Sequence, residues 1–316
     1  MDGGPLPTAR RPLSPGVPLP GVPLRWDSVG PEADAARYSI EPIRCAHIAN
    51  SRQAIHLAAV GLRSNDDVLI LGAGSCSEIP LDTLARRFDS ILLLDHEPAA
   101  LEAALRALPP PLRPRVRAQI MERTGLIRDF LVAASRALEA STDPDQAASA
   151  LATLARAGEL RAERAARSPS TLVVASSILN ELTTPTLRMI GRRFAERFPD
   201  APSLSASKEW VDAALDLSWQ AQRVFIEDLP SRIAPGGRAY VSATTLVGQV
   251  EMDERGQWTT AGWYRMLAER SLTDLMGSRW QVLFEARWPW VRVAPQPGGR
   301  TGLVYEVQSL VLAVEG

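Results

Sequence analysis

The chain has 316 residues, 46% hydrophobic and 22% charged, with a formal net charge of -1, a composition that suits one elaborated globular domain and argues against a broad basic face for nucleic acid. Its two cysteines, Cys45 and Cys76, cannot make a disulfide framework, and His47, His56 and His96 fall at no metal-ligand spacing. No apolar run approaches the ~20 residues of a membrane span, so a cytoplasmic location without membrane contact is expected.

Residues 1–34 are crowded with proline from Pro5 to Pro23 and hold few large apolar side chains; a flexible arm is predicted. Residues 35–65 carry Ile43, Ala46, Ile48, Ile55, Leu57, Ala58 and Leu62 at spacings that suit one or two amphipathic helices, a lid or flank ahead of the core. The remainder, 66–316, reads as a single domain.

Asp66–Gly74, DDVLILGAG, is a short run of β-formers ending in glycines, and Ile79, Leu81, Leu84, Ala85 and Phe88 follow at helical spacing. Ser90–Asp95, SILLLD, predicts a second strand and Glu97–Leu108 its helix, with Pro98 in the first turn. Two such units in series imply a parallel sheet. Val116–Met121 serves as a third strand after the prolines of 109–114. Residues 126–167 read as a helical connection plus an insertion, interrupted near Ser141–Pro144. Thr171–Ala175 is a fourth strand, followed by a helix to about Phe198 and another over Ser207–Leu229. Pro235, Gly236 and Gly237 then turn the chain into a fifth strand, RAYVSATT. Strand-like runs near Trp280–Arg287 and Tyr305–Val314 bring the count to seven, and the predicted fold is an α/β Rossmann-like, mostly parallel sheet with helices on both faces.

Gly72, Ala73 and Gly74, with Ser75 next, lie between a strand and a helix, where small residues let a ligand approach the backbone. Asp95 ends the second strand, where a carboxylate accepts hydrogen bonds from ribose hydroxyls. The pair specifies a nucleoside. A pyrophosphate favours a third glycine and a bare helix N-terminus; here the stretch is GAGSCSEIP, with Ser77 at the third glycine position and Glu78 beside it. That acid opposes a pyrophosphate and suits the ammonium of a methionine moiety, which favours S-adenosylmethionine over a nicotinamide or flavin.

On these residues the chain resembles the class I S-adenosylmethionine-dependent methyltransferases over roughly Asp66 to Gly316. VLILGAG looks like their first motif, ILLLDHEP like the acidic one, LVVASSILNEL like that of the fourth strand, and RIAPGG like the turn before the fifth. The resemblance implies a last strand antiparallel to the others, a cofactor across the strands' carboxyl ends, and an acceptor above the fourth strand. It also implies an acid before the glycine turn, where this chain has Ile70, so Glu78 is the candidate for the amino group. Glu122, or else Asp129, matches the adenine-contact acid, and His96 is expected to pack near the adenosine.

Methyl transfer is an in-line displacement that needs alignment and, for a weak nucleophile, a base. In the loop after the fourth strand, Ser176 and Ser177 leave room for the cofactor, while Asn180 and Glu181 are candidates to orient or deprotonate the acceptor. Glu181 is equally read as a helix-start carboxylate. Tyr38, Arg44 and Arg52 are candidates to close over an anionic acceptor, and Trp258, Trp263, Trp288 and Trp290 are read first as packing and second as an aromatic wall. The predicted acceptor is a small molecule, since no nucleic-acid module is recognisable and the loop lacks the motif for exocyclic base amines. RNA or protein methylation, a non-catalytic cofactor-binding scaffold and an NAD-dependent oxidoreductase are the alternatives, and a homodimer is compatible with the sequence.

Overall fold

The computed structural model describes residues 40–63, 65–120, 128–157, 169–252, 258–293 and 302–314. In chain order, α1 (Ile40–Ala59) precedes β1 (Asp67–Leu71), α2 (Leu81–Arg87), β2 (Ser90–Asp95), α3 (Pro98–Ala107) and β3 (Val116–Ile120). Next come α4 (Arg128–Ala140), α5 (Pro144–Ala157), β4 (Ser170–Ala175), α6 (Thr184–Arg197), α7 (Lys208–Asp228) and β5 (Ile233–Met252). β6 (Trp258–Arg265), the short α8 (Leu272–Met276), β7 (Trp280–Val293) and β8 (Gly302–Val314) follow.

The strands join in the order β3-β2-β1-β4-β5-β8-β7, and β6 pairs with β5 off that path. β1 to β5 run parallel, whereas β8 is antiparallel to both β5 and β7. This is a Rossmann-like sheet whose last strand is reversed, as the resemblance implied. β1 and β2 are buried at every position after the first, the pattern of strands covered on both faces. Alternate side chains serve opposite layers: Leu69, Leu71, Val173 and Ala175 pack with α4 to α8, while Val68, Ile70, Leu172 and Val174 pack with α1 to α3. β3 is an edge strand, buried only at Val116, which is why Arg117 and Gln119 are tolerated in it.

Three features depart from the sequence reading. Pro235, Gly236 and Gly237 lie inside β5, in a bulge where Ser170 pairs with Ile233 and Leu172 already pairs with Arg238. A Cβ on Gly237 would stand 2.7 Å from the carbonyl oxygen of Thr171, so the second glycine is required by close approach to β4. β5 also runs on well past RAYVSATT, and its far half pairs with β6, a strand not expected from the sequence. This antiparallel extension passes beyond the carboxyl edge of the parallel strands.

Candidate active site at the β1–β4 crevice

β1 has β2 on one side and β4 on the other, and the chain leaves the sheet in opposite directions there, which opens a crevice at the carboxyl ends. Gly72 and Gly74 turn the chain out of β1 with φ of +64° and +51°, the left-handed region open to glycine. The N–H groups of Gly72 and Ala73 both donate to the Leu94 carbonyl, at 2.9 and 3.1 Å. A Cβ on Gly74 would meet nothing within 4 Å, so space stands open beside this turn. Ser75 is exposed next to it. α2 begins only at Leu81 behind Pro80, and no side chain caps it.

Asp95 is 1% exposed and ties β2 to the turn. Its Oδ2 accepts from the Gly74 N–H at 2.8 Å, and its Oδ1 accepts from the Glu97 N–H at 3.0 Å with His96 Nδ1 also 3.0 Å away. The expected ribose acid thus has a structural duty as well, holding the glycine turn in shape by charge-assisted bonds.

Glu78 is the hub of the crevice. Its Oε1 lies 3.0 Å from Nε2 of His47 on α1, and its Oε2 accepts from the hydroxyls of Ser176 at 3.1 Å and Ser177 at 3.3 Å. Burial pushes the carboxyl pKa up, but the His47 imidazole and the two serine hydroxyls beside it outweigh that and hold the group below its ordinary value. Cys76 and Ser177, on the two loops that face each other here, are non-glycine residues at φ +56° and +55°. Each such geometry costs on the order of 1–2 kcal/mol. Cys76 folds back through its N–H to the Ala73 carbonyl, and the Ser177 N–H donates to both the Ser242 carbonyl and its hydroxyl oxygen. Behind them Tyr240 is fully buried; burial pushes its hydroxyl up to about 12, with Ser242, Ser51 and Ser176 as hydroxyl neighbours.

The sequence reading did not pair His47 with Trp288 and did not single out Tyr240. His47 is 1% exposed and accepts a 2.8 Å bond at Nδ1 from the Trp288 indole N–H, 241 positions away. Trp290 stacks on the same ring at 4.2 Å, and Tyr305 lies tilted against Trp290 at 5.5 Å. Nothing in local spacing announces a pair that distant. Packing is therefore what Trp288 does, as the first reading had it.

The remaining candidates divide. His96 and Glu181 share an open groove of about 380 Å³ with Glu97, Pro185, Arg188, Met189 and Arg192. Asn180 uses both ends of its amide on Thr244 of β5: Nδ2 donates to the Thr244 carbonyl at 3.0 Å and Oδ1 accepts its N–H at 2.8 Å. Arg52 donates to the Ser77 carbonyl at 2.9 Å, so α1 is fastened to the glycine loop by two side chains. His56 and Asp129 are exposed. Tyr38 and Glu122 lie outside the described residues, as do the side chains of Arg44, Trp258 and Trp263.

No protein-family model and no curated protein matches the chain. Solved structures do. The glycopeptide N-methyltransferase MtfA bound to S-adenosyl-L-methionine aligns with a TM-score of 0.40 at 13% identity, over 84% of this chain and 94% of that one. The Burkholderia thailandensis 1,6-didemethyltoxoflavin-N1-methyltransferase aligns with a TM-score of 0.40 at 14% identity, over 86% and 81%. A SAM-dependent methyltransferase of Leishmania major gives 0.36 at 14%, over 87% and 74%.

Proposed function

We propose that the protein binds S-adenosylmethionine in the β1–β4 crevice and transfers its methyl group to a small-molecule acceptor. The observation that carries the reading is the pairing of a glycine turn that stands open at Gly74 with an acid, Glu78, held as an anion beside it. A cofactor with a cationic amino acid fits there, whereas a pyrophosphate would meet that charge and find no helix N-terminus directly behind the turn.

Bound in this crevice, S-adenosylmethionine supplies a methyl group on a sulfonium centre that an acceptor displaces in line. Gly72, Ala73, Gly74 and Ser75 give backbone room for the amino-acid end, Glu78 takes its ammonium, and Asp95 takes the ribose through lone pairs beside its main-chain bonds. His96 and Glu122 belong to the adenosine end. Ser176 keeps the floor small under the sulfonium. Glu181, on the groove it shares with His96, is assigned to receive the acceptor's proton. Asn180 acts on that step by clamping the β4 loop to β5, and Arg52 acts by holding the loop rather than by meeting an acceptor. Tyr38 is assigned to the acceptor side.

Calorimetric titration with S-adenosylmethionine, S-adenosylhomocysteine and NAD tests the cofactor: micromolar binding of the first two and none of the third is expected, and preference for NAD overturns the reading. A metabolite-extract screen for a mass gain of one methyl group tests the acceptor class. Methyl incorporation into RNA or protein alone would replace it with the macromolecular alternative, and binding without transfer to any acceptor class would leave a cofactor-binding scaffold.

A further inference from the structure

We propose that His47 is a positioning residue for the amino-acid end of the cofactor, holding the Glu78 carboxylate through Nε2–H, with Trp288 fixing its ring in the tautomer that does so. The inference rests on the crevice being an S-adenosylmethionine site, and deepens it by assigning the element that sets recognition of the ammonium.

An indole N–H is a donor only. At 2.8 Å from Nδ1 it makes that nitrogen an acceptor, so the ring proton sits on Nε2, which stands in electrostatic contact with Glu78 Oε1 at 3.0 Å. A ring carrying protons on both nitrogens would set N–H against N–H at Trp288. Trp290, stacked within 9° of the ring plane, holds the orientation that serves both contacts. Ser176 and Ser177 on the other oxygen are likewise uncharged donors. The carboxylate is therefore oriented on both sides by groups that leave its negative charge uncancelled. Among the described residues, the guanidinium that reaches this loop, that of Arg52, is committed to the Ser77 carbonyl. An ammonium is the complement of such a site. A cationic partner in place of His47 would orient Glu78 equally well but neutralise it.

The test compares S-adenosylhomocysteine with methylthioadenosine, which keeps nucleoside and thioether but lacks the amino acid, by calorimetry on the full chain. The wild type is expected to bind S-adenosylhomocysteine more tightly. His47→Phe preserves the stack on Trp290 and removes the donor; it should weaken S-adenosylhomocysteine about tenfold and leave methylthioadenosine unchanged. His47→Gln, whose amide N–H reaches toward Glu78, should recover much of the loss. Heteronuclear NMR of the wild-type imidazole should find Nδ1 bare and Nε2 protonated, and Trp288→Phe should release that preference while the protein stays folded. Equal losses for both ligands in His47→Phe, or a proton on Nδ1, overturn the proposal. A wild type that binds neither ligand overturns the cofactor reading itself, while the tautomer measurement still reports on the histidine.

Discussion

Asp95 joins two jobs in one side chain, and substitutions separate them. Asp95→Asn, of nearly the same size, keeps one acceptor oxygen and strands one of the Gly74 and Glu97 N–H groups, so it should lower stability by about 1–3 kcal/mol in denaturant unfolding. Asp95→Ala should weaken S-adenosylmethionine by about 1.5–3 kcal/mol in calorimetry; unchanged affinity would leave Asp95 with the structural job alone. Glu78 gives a pH test. Its folded-state carboxyl titrates below the ordinary 4.5, so its contribution to stability is complete above that value and is lost as pH falls through the lowered one. Unfolding midpoints of wild type and Glu78→Gln should differ near neutrality and converge in acid; a constant gap contradicts the assignment. Burial, then the charge of Asp95, pushes the Cys76 thiol up to about 12, and the thiolate is the reactive form. Iodoacetamide should label Cys76 only after unfolding, as read by peptide mass. The glycine turn and Asp95 were legible because both are local: a strand end, a tight turn and an acid one β-α unit later. Glu78 was legible as a charge next to that turn. His47 was not, because its meaning comes from a tryptophan 241 positions along the chain.

Among the elements, the parallel strands were legible for the reason that they are buried on both faces and read as continuous apolar runs. β5 was not, because its glycine pair looks like a turn and is a bulge against β4. Gly237→Ala would drive a methyl group to 2.7 Å from a backbone carbonyl that cannot move alone. The expected loss is about 1–3 kcal/mol by denaturant unfolding, and a neutral result would mean the bulge reshapes freely. The path from β6 to α8 is held by two buried glutamines that no periodicity marks. Gln222 donates to the Met266 carbonyl and accepts the Ala268 N–H, and Gln308 accepts the Leu272 N–H at 2.7 Å. Gln222→Leu leaves both main-chain groups without those partners and should cost about 1–3 kcal/mol.

Across the whole molecule, α1 is packed into the body of the fold and reaches the glycine loop. Its Ile55 and Ala58 are fully buried, it packs on β5, β7 and β8, and it delivers His47 and Arg52 to the glycine loop. No described helix is long and apolar enough to cross a membrane. The order of the strands carries one further consequence. β7 precedes β8 in the chain, yet β8 lies between β7 and β5, so the last strand to be made supplies the partner for both. Chains that stop short of Gly302 would present two hydrogen-bonding margins at once, those of β5 and β7, and such margins recruit strands from neighbouring molecules. Shortened forms of this protein should therefore clump before they can mature, however well their first four parallel strands have assembled.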